Sequence, residues 1–440
     1  MKELKDGSFG FLEKQKQVED RPGLGTYEAV IIILKSALGA GVLNFPWAFA
    51  RAGGIEGAVT LELISLIFLV CGLIIMGYAS SISGQNTYQT VVQKLCGATI
   101  GKLCEICFVF NIFMVCVAVL VVVAELLQKL SVSIYQLITG LHKSEIPYYW
   151  YMDQRFTLFL LCLFVILPLS ISKDIGTQKY MSLLGSLASA YLAVAIVVRY
   201  YTIPKDHLPQ FCSSGMESWH SIFNILPTIC FGFQCHEGSV AIYSSLENKK
   251  LLNWSIISLV SMVICFVLYT IIGIYGYLTF GNHVAADILM SYSERDILLI
   301  IARVLVGVSV ITVYPIMLLL GRSAILDPLL QYRERLHFSE TKYFEICSRV
   351  VLTVTWILLT LLIAVFAPDI SKVINLIAGT CSFFIFVFPG LCLIYAMQSY
   401  PVSTTLRWLL TAWGLITILC GAFIFGQSTS IAVTEVFYNQ

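Results

Sequence analysis

Long apolar stretches separated by short polar segments recur along nearly the whole chain. A backbone crossing lipid must satisfy its own hydrogen bonds, so each charge-poor run bounded by charge reads as a helix. The runs place eleven transmembrane helices at 27–50, 57–80, 103–128, 155–171, 180–203, 219–245, 253–280, 296–321, 345–367, 370–398 and 406–426. Most are apolar all round and lack the polar stripe of a surface helix, as expected where lipid and neighbouring helices share the burial. The expected fold class is therefore an all-α membrane protein. Residues 1–26 are polar and charged, without a cleavable leader pattern, so the first helix is the expected targeting signal.

Composition narrows the function classes. Hydrophobic residues make up 58% of the chain and charged ones only 12%, which excludes a soluble globular enzyme and a disordered chain. The 27 Lys and Arg nearly balance the 26 Asp and Glu, leaving no basic field for nucleic acid. Counted over alternate loops, one set holds about 17 Lys and Arg and the other about 8, which puts the first set, and the N-terminus, in the cytosol. Nearly all of the 14 cysteines fall in or beside helices. Cys212 alone sits in a non-cytosolic loop, so no extracellular disulfide framework is expected. The sequon at Asn253 falls at a cytosolic helix end and should stay unglycosylated.

Two apolar segments, five helices apart, are interrupted in corresponding places. The first reads Lys35-Ser-Ala-Leu-Gly39-Ala-Gly41-Val-Leu-Asn44-Phe-Pro46, the sixth Pro227-Thr-Ile-Cys-Phe-Gly232-Phe-Gln234-Cys-His236-Glu237-Gly238. Glycine lowers the cost of leaving helical dihedrals, and irregular backbone at membrane depth persists where it lines a cavity or is buried in protein. Matched discontinuous helices point to a midplane substrate site in an inverted-repeat transporter. Close helix packing is the plain alternative. The expected organisation is a cytoplasmic tail (1–26), a first five-helix repeat (27–203), a second (219–398), and an appended eleventh helix with a short non-cytosolic C-tail (406–440).

The stretch from Ser36 to Trp47 resembles the first-helix motif of the amino acid/auxin permease superfamily. Pro227 to His236, followed by Tyr243, resembles its sodium-coupled neutral amino acid transporter branch, solute carrier family 38. Gly276–Gly281, Phe383–Gly390 and Phe425–Thr429 carry the likeness onward, over roughly residues 27 to 430. The resemblance implies a LeuT-like fold, a 5+5 inverted repeat with broken helices 1 and 6 plus one appended helix, moving neutral amino acids such as glutamine and alanine on a cation gradient. The residues suit that task. Amides of Gly39, Ala40 and Gly41 can bind the substrate carboxylate at a helix N-terminus. Carbonyls near Phe231 and Gly232 can accept from its ammonium. Asn44, Gln234 and Tyr314 are candidates for side-chain preference, with ordinary interhelical hydrogen bonding as the alternative.

Lys35 departs from the family pattern, which the resemblance gives as an Asn that helps hold sodium, partnered by a Thr matching Thr312. Three readings stand open. Lys35 is a tethered surrogate for sodium, or it titrates and couples transport to protons, or its long stem snorkels to the cytosolic interface. In the last case sodium would bind through Thr312, Ser309 and carbonyls near Ser36. His236 is a pH-sensing candidate or a packing histidine. Glu62 and Arg303, about two turns from their helix ends, are expected at the interface. Residues Tyr148 to Tyr151 read as an aromatic belt. No nucleophile–base arrangement, phosphate loop or metal cluster is recognisable, so the chain is not expected to be an enzyme or a primary pump. The expected partners are an amino acid, sodium or a proton, and the lipid bilayer, with no cofactor, for a monomer in the plasma membrane rather than the lysosome. A non-transporting amino-acid sensor is the rival class.

Overall fold

The computed structural model describes residues 23–140, 150, 153–171, 178–204, 209, 223, 225–335, 342–366 and 370–438. The start of the sixth predicted helix, Cys212, Tyr148, Tyr149 and Tyr151 lie outside them. Nine helices among the described residues are long and apolar enough to cross a membrane, and the pair Thr26–Ala37 and Ala40–Arg51, bent by 50°, makes a tenth. The sixth predicted span is described as two short pieces, Leu226–Gly232 and His236–Ser245.

In chain order, helix α1 is Thr26–Ala37; after a 3₁₀ turn at Ala40–Asn44 comes α2, Phe45–Arg51. Next are α3 (Ile55–Ser83), α4 (Tyr88–Cys96), α5 (Ala98–Thr139), α6 (Gln154–Ile171) and α7 (Gln178–Thr202). The second half holds α8 (Leu226–Gly232), α9 (His236–Ser245), α10 (Leu251–Phe280), the short α11 (Ile288–Ser291) and α12 (Ile297–Arg335). It ends with α13 (Lys342–Phe366), α14 (Ile370–Ser382), α15 (Phe388–Ser399) and α16 (Thr404–Tyr438).

Several boundaries differ from the sequence reading for physical reasons. Helix α4 lies in a segment read as a loop, because its nine residues are too short and polar for a hydropathy run. It buries Tyr88, Val91, Val92 and Cys96 on one face, as an amphipathic surface helix does. The predicted continuous helix at 370–398 is split by a widened π turn at Phe383–Val387. Pro389 lacks an N–H and its ring crowds the carbonyl four residues back, Ile385, so the turn widens ahead of it. The same device precedes Pro168, at Cys162–Ile166. One carbonyl freed near Pro389 finds a donor, Tyr88 Oη bonding to Phe384 O at 2.9 Å, and Gly72 leaves room for Ile385 O, which a Cβ there would approach to 2.8 Å.

The lower end of α1 is tied to the segment after α9. Leu24 N–H donates to Ser245 O at 2.8 Å, Glu247 N–H donates to Leu24 O at 3.1 Å, and Thr26 Oγ1 donates to Asn253 Oδ1 at 3.3 Å. This ribbon holds the first half of the first interrupted region beside the end of the second half of the other. Helices α5 and α12 pack along one another and against α7, α13 and α14, forming a scaffold around the broken elements.

Candidate functional site

Both predicted interruptions are real breaks in the helices. Helix α1 stops at Ala37; Leu38 (φ −72°, ψ 60°) and Gly39 (φ −94°, ψ −148°) are non-helical before the chain turns back into helix at Ala40. Helix α8 stops at Gly232, and Phe233 to Cys235 run outside helical geometry before α9 starts at His236. Ala40 and Gly41 open a helical turn, so their N–H groups have no intrahelical carbonyl to bond.

The glycines of the breaks divide into two kinds. A Cβ on Gly41 would lie 2.6 Å from Gly232 Cα, so the two breaks touch backbone to backbone. A Cβ on Gly232 would lie 2.6 Å from Cε2 of Phe45. Gly39 is different. It is half-buried, and a Cβ there would meet nothing nearer than Ala37 O at 4.0 Å. Gly41 and Gly232 therefore serve close packing, and Gly39 leaves open space beside the amides of Ala40 and Gly41.

Tyr269 of α10 joins the two breaks. Its hydroxyl lies 2.7 Å from Ala37 O and 2.8 Å from Gly232 O, the carbonyls that end the two first half-helices. Its ring stacks on Phe45 at 4.1 Å, and Phe233 meets it edge-on at 4.8 Å. Each carbonyl oxygen has two lone pairs, so Gly232 O keeps one for a further donor such as a substrate ammonium. A tyrosine in the middle of a predicted span was the available sequence signal, since a buried phenol seeks a partner.

Lys35 is buried, 4% exposed, and does not reach for the interface. Its Nζ donates to Ser309 O at 3.0 Å and Ser309 Oγ at 2.5 Å. Thr312 Oγ1 donates to the same Ser309 carbonyl at 2.7 Å. The structure thus brings Lys35, Ser309 and Thr312 together across α1 and α12; Ser36, next to Lys35 in the chain, is half-buried. Gly185 of α7 makes room, because a Cβ there would collide with the Lys35 side chain.

The side-chain candidates have separate surroundings. Asn44 Oδ1 accepts from Thr228 Oγ1 at 2.9 Å, and its Nδ2 donates to Ala286 O at 2.9 Å, tying the first break to α8 and to the loop before α11. Tyr314 shares a 2.6 Å hydrogen bond with Thr360 of α13. Gln234 donates to Glu237 Oε1 at 2.7 Å and accepts from Cys381 Sγ at 3.0 Å. Phe231 is buried at the end of α8. His236 is fully buried, with Nε2 3.0 Å from Leu69 O, so that nitrogen carries the hydrogen. Its ring belongs to the α3–α9 packing.

Glu62 and Arg303, expected at the interface, are both buried. Glu62 accepts from Thr270 Oγ1 at 3.1 Å. Arg303 Nη2 donates to the carbonyls of Leu289 and Tyr292 at 3.0 Å and of Ser293 at 3.2 Å. The loop around α11 folds over the end of α12 and encloses the guanidinium, which counting turns from a helix end could not anticipate.

That loop carries a titratable group outside the spans. Asp287 caps α11, accepting from Leu289 N–H at 2.8 Å, and its Oδ2 is buried without a partner. Burial pushes its carboxyl up to about 7, opposed by the Leu289 N–H and by the Arg303 and Lys129 charges. Lys129 pairs with Glu294 at 2.8 Å, and Arg199 pairs with Asp296 at 2.5 Å, so these groups complete the charged surroundings. With its folded pKa above the unfolded value of 3.8, Asp287 binds more protons folded than unfolded. Its contribution to stability is therefore present at low pH and is lost as pH rises to about 7. Asp287→Asn keeps an oxygen for the Leu289 amide and removes the ionisation. Melting temperatures in detergent at pH 5 and pH 8 should show the variant gaining on the wild type at the higher pH. An equal difference at both values would mean that Asp287 does not ionise in that range.

Residues 23–434 match the family model described as Transmembrane amino acid transporter protein. The Xenopus tropicalis protein named "Putative sodium-coupled neutral amino acid transporter 8" is 55% identical over 99% of each chain. Solute carrier family 38 member 8 of Homo sapiens is 48% identical, covering 98% of this chain and 99% of its own. Sodium-coupled neutral amino acid transporter 7 of Danio rerio is 39% identical, covering 99% and 93%. In fold, the chain is similar to the solved structure of MhsT in complex with L-phenylalanine, with a TM-score of 0.57 at 14% identity over 93% of this chain and 98% of that one. This LeuT-like neighbour agrees with the all-helical architecture. Two broken helices in contact, an all-helical membrane fold and full-length relatives together place the chain: it belongs to the transmembrane amino acid transporter family, in its solute carrier family 38 branch, a family of carriers rather than enzymes.

Proposed function

We propose that the chain is a secondary active carrier of neutral amino acids such as glutamine and alanine, symported with sodium by alternating access. It has eleven spans, the sixth being the broken pair α8 and α9, arranged as two five-helix repeats plus an appended helix. The N-terminus is cytosolic and the protein resides in the plasma membrane. The observation that carries this reading is the backbone contact of Gly41 with Gly232 beside the open face of Gly39. There, free amides of Ala40 and Gly41 and the carbonyl of Gly232 offer opposite partial charges to a zwitterion, the chemistry common to every α-amino acid. The names of the relatives, sodium-coupled neutral amino acid transporters, supply the substrate class and the ion.

A second reading of the coupling rests on Lys35. Its ammonium already holds two oxygens of Ser309. A second cation beside it would be repelled, so sodium and charged Lys35 compete for the same oxygens. On this reading Lys35 replaces sodium and coupling passes to protons.

Glutamine uptake into vesicles containing the purified protein, with sodium replaced by choline at two pH values and repeated for Lys35→Asn, tests both. At least partial sodium dependence is expected of the wild type, and stronger dependence of the variant. Equal uptake in choline and sodium, unchanged with pH, would sink both cation-coupled mechanisms. Substrate binding without accumulation would make the protein a sensor.

A further inference from the structure

Zwitterion recognition at the two breaks makes no use of two thiols that face each other across a helix pair. The surface helix α4 packs along α15 and the π turn that leads into it. At the start of α4, Tyr88 Oη donates to Phe384 O at 2.9 Å, and its ring meets Phe384 at 5.5 Å and Phe388 at 6.4 Å, both edge-on. Just over two turns further, at the end of α4, Cys96 Sγ lies 3.9 Å from Cys392 Sγ of α15. Both contacts join residues 296 positions apart in sequence. The two segments therefore run parallel in one register, and the anchored tyrosine at one end sets the thiols opposite each other at the other.

The two sulfurs differ in access. Cys392 is fully buried, whereas Cys96 is 8% exposed and stands where α4 ends. The next residue, Gly97, is exposed, turns the chain with a φ of 91°, and has open space where a Cβ would stand. Ala98 and Thr99 beyond it are exposed as well. A small oxidant thus reaches Cys96 from the α4–α5 turn, and Cys392 by way of Cys96. On the orientation proposed above this turn faces the cytosol, where thiols stay reduced until an oxidant arrives. Bonded sulfurs stand about 2 Å apart, so the pair must still close. The last turn of a nine-residue helix is the part that yields most easily.

We propose that Cys96 and Cys392 form a reversible disulfide when the protein meets a peroxide, and that this bond slows transport by clamping α4 to α15. In the first step the Cys96 sulfur takes one peroxide oxygen, the O–O bond breaks, and the thiol proton leaves with the other oxygen as water. Cys392 Sγ then attacks the sulfenic sulfur of Cys96. The S–S bond forms, the S–O bond breaks, and the hydroxide leaves with the second thiol proton as water. Two thiols and one hydrogen peroxide give one disulfide and two waters, two electrons passing from sulfur to peroxide. A small thiol such as glutathione reverses the bond by exchange. Helix α4 also packs against α9, the second half of the interrupted sixth span. The effect on uptake rests on the transport reading above, in which the broken elements move; the bond itself does not.

Purified protein treated with hydrogen peroxide, blocked with N-ethylmaleimide and digested should yield peptides joined at Cys96 and Cys392, lighter by two hydrogens than the free pair and parted by dithiothreitol. Cys347, exposed on α13, reports the general reach of the oxidant. Cys104 of α5, buried beside the pair, is the competing partner. In vesicles, peroxide should cut alanine uptake by the wild type at least about threefold, with recovery in dithiothreitol, while Cys392→Ser and Cys392→Ala keep their uptake. Melting temperatures identify a variant that fails to fold, and the wild-type peptide map decides the bond without it. Oxidation of Cys347 with Cys96 and Cys392 left unlinked, or a link from Cys96 to Cys104 instead, overturns the proposal. A complete link with unchanged uptake overturns the clamp, as does an equal fall in uptake in the folded Cys392 variants. Linked peptides from a protein that accumulates no alanine before or after reduction would sink the transport reading and keep the bond.

Discussion

Gly41→Ala is expected to abolish amino acid uptake and to lower the melting temperature by several degrees, whereas Gly39→Ala, two residues earlier, should leave the melting temperature unchanged. The added Cβ at Gly41 would lie 2.6 Å from Gly232 Cα and 3.2 Å from Gly232 N. Both are backbone atoms, which cannot rotate aside, so the half-helices must separate. Forcing extra volume into packed structure costs about 1–3 kcal/mol. The displacement would also move the amides of Ala40 and Gly41 relative to the Gly232 carbonyl, and a misplacement of about 1 Å can cost on the order of a hundredfold in rate. At Gly39 the nearest obstacle is Ala37 O at 4.0 Å, and the glycine has a negative φ that alanine tolerates. A methyl group there intrudes on the open face, so KM should rise without loss of stability. Thermal unfolding in detergent and alanine uptake in vesicles measure the two effects. Normal stability and uptake in Gly41→Ala would mean that the breaks are not held in contact.

This contrast separates two readings that sequence leaves together. Glycine in a membrane helix signals either close packing or irregular backbone, and the motif around Gly39, Gly41 and Gly232 contains both. The breaks were legible because glycine with small or polar neighbours interrupts an apolar run twice, five helices apart. The hydrogen bonds that Gln234 and Asn111 donate to Glu237 were not. Asn111 and its partners Thr380 and Cys381 lie on helices whose hydropathy says only that they span, and which of their faces meet depends on interhelical register. Lys35 illustrates the same limit. Its distance from the helix end suggested a reach to the interface, but Gly185 on α7 and Ser309 on α12 form a closer seat. Asn44 and Tyr314, candidates for side-chain preference with interhelical hydrogen bonding as the alternative, bond to Thr228, Ala286 and Thr360 on neighbouring segments, partners that hydropathy alone does not name.

Tyr269→Phe should reduce uptake by at least about tenfold and destabilise the fold by about 1–3 kcal/mol, since its single hydroxyl hydrogen is shared between two buried carbonyls that lose it together. Phenylalanine keeps the ring that stacks on Phe45 at 4.1 Å and meets Phe233 at 4.8 Å, so the loss reports on the hydroxyl alone. The bonded atoms, Ala37 O and Gly232 O, end the first halves of the two broken elements. Without the phenol those ends are joined by packing at Gly41 and Gly232 and by the Asn44–Thr228 bond. Separate movement of the two halves then becomes easier, and a substrate ammonium at Gly232 O loses its companion donor. The double variant Gly41→Ala with Tyr269→Phe distinguishes one joint from two independent effects. Contacts that hold the same pair of elements should couple, so the combined destabilisation should fall short of the sum of the single losses. Strict additivity in unfolding measurements would show that the hydroxyl and the glycine contact act on different parts of the molecule.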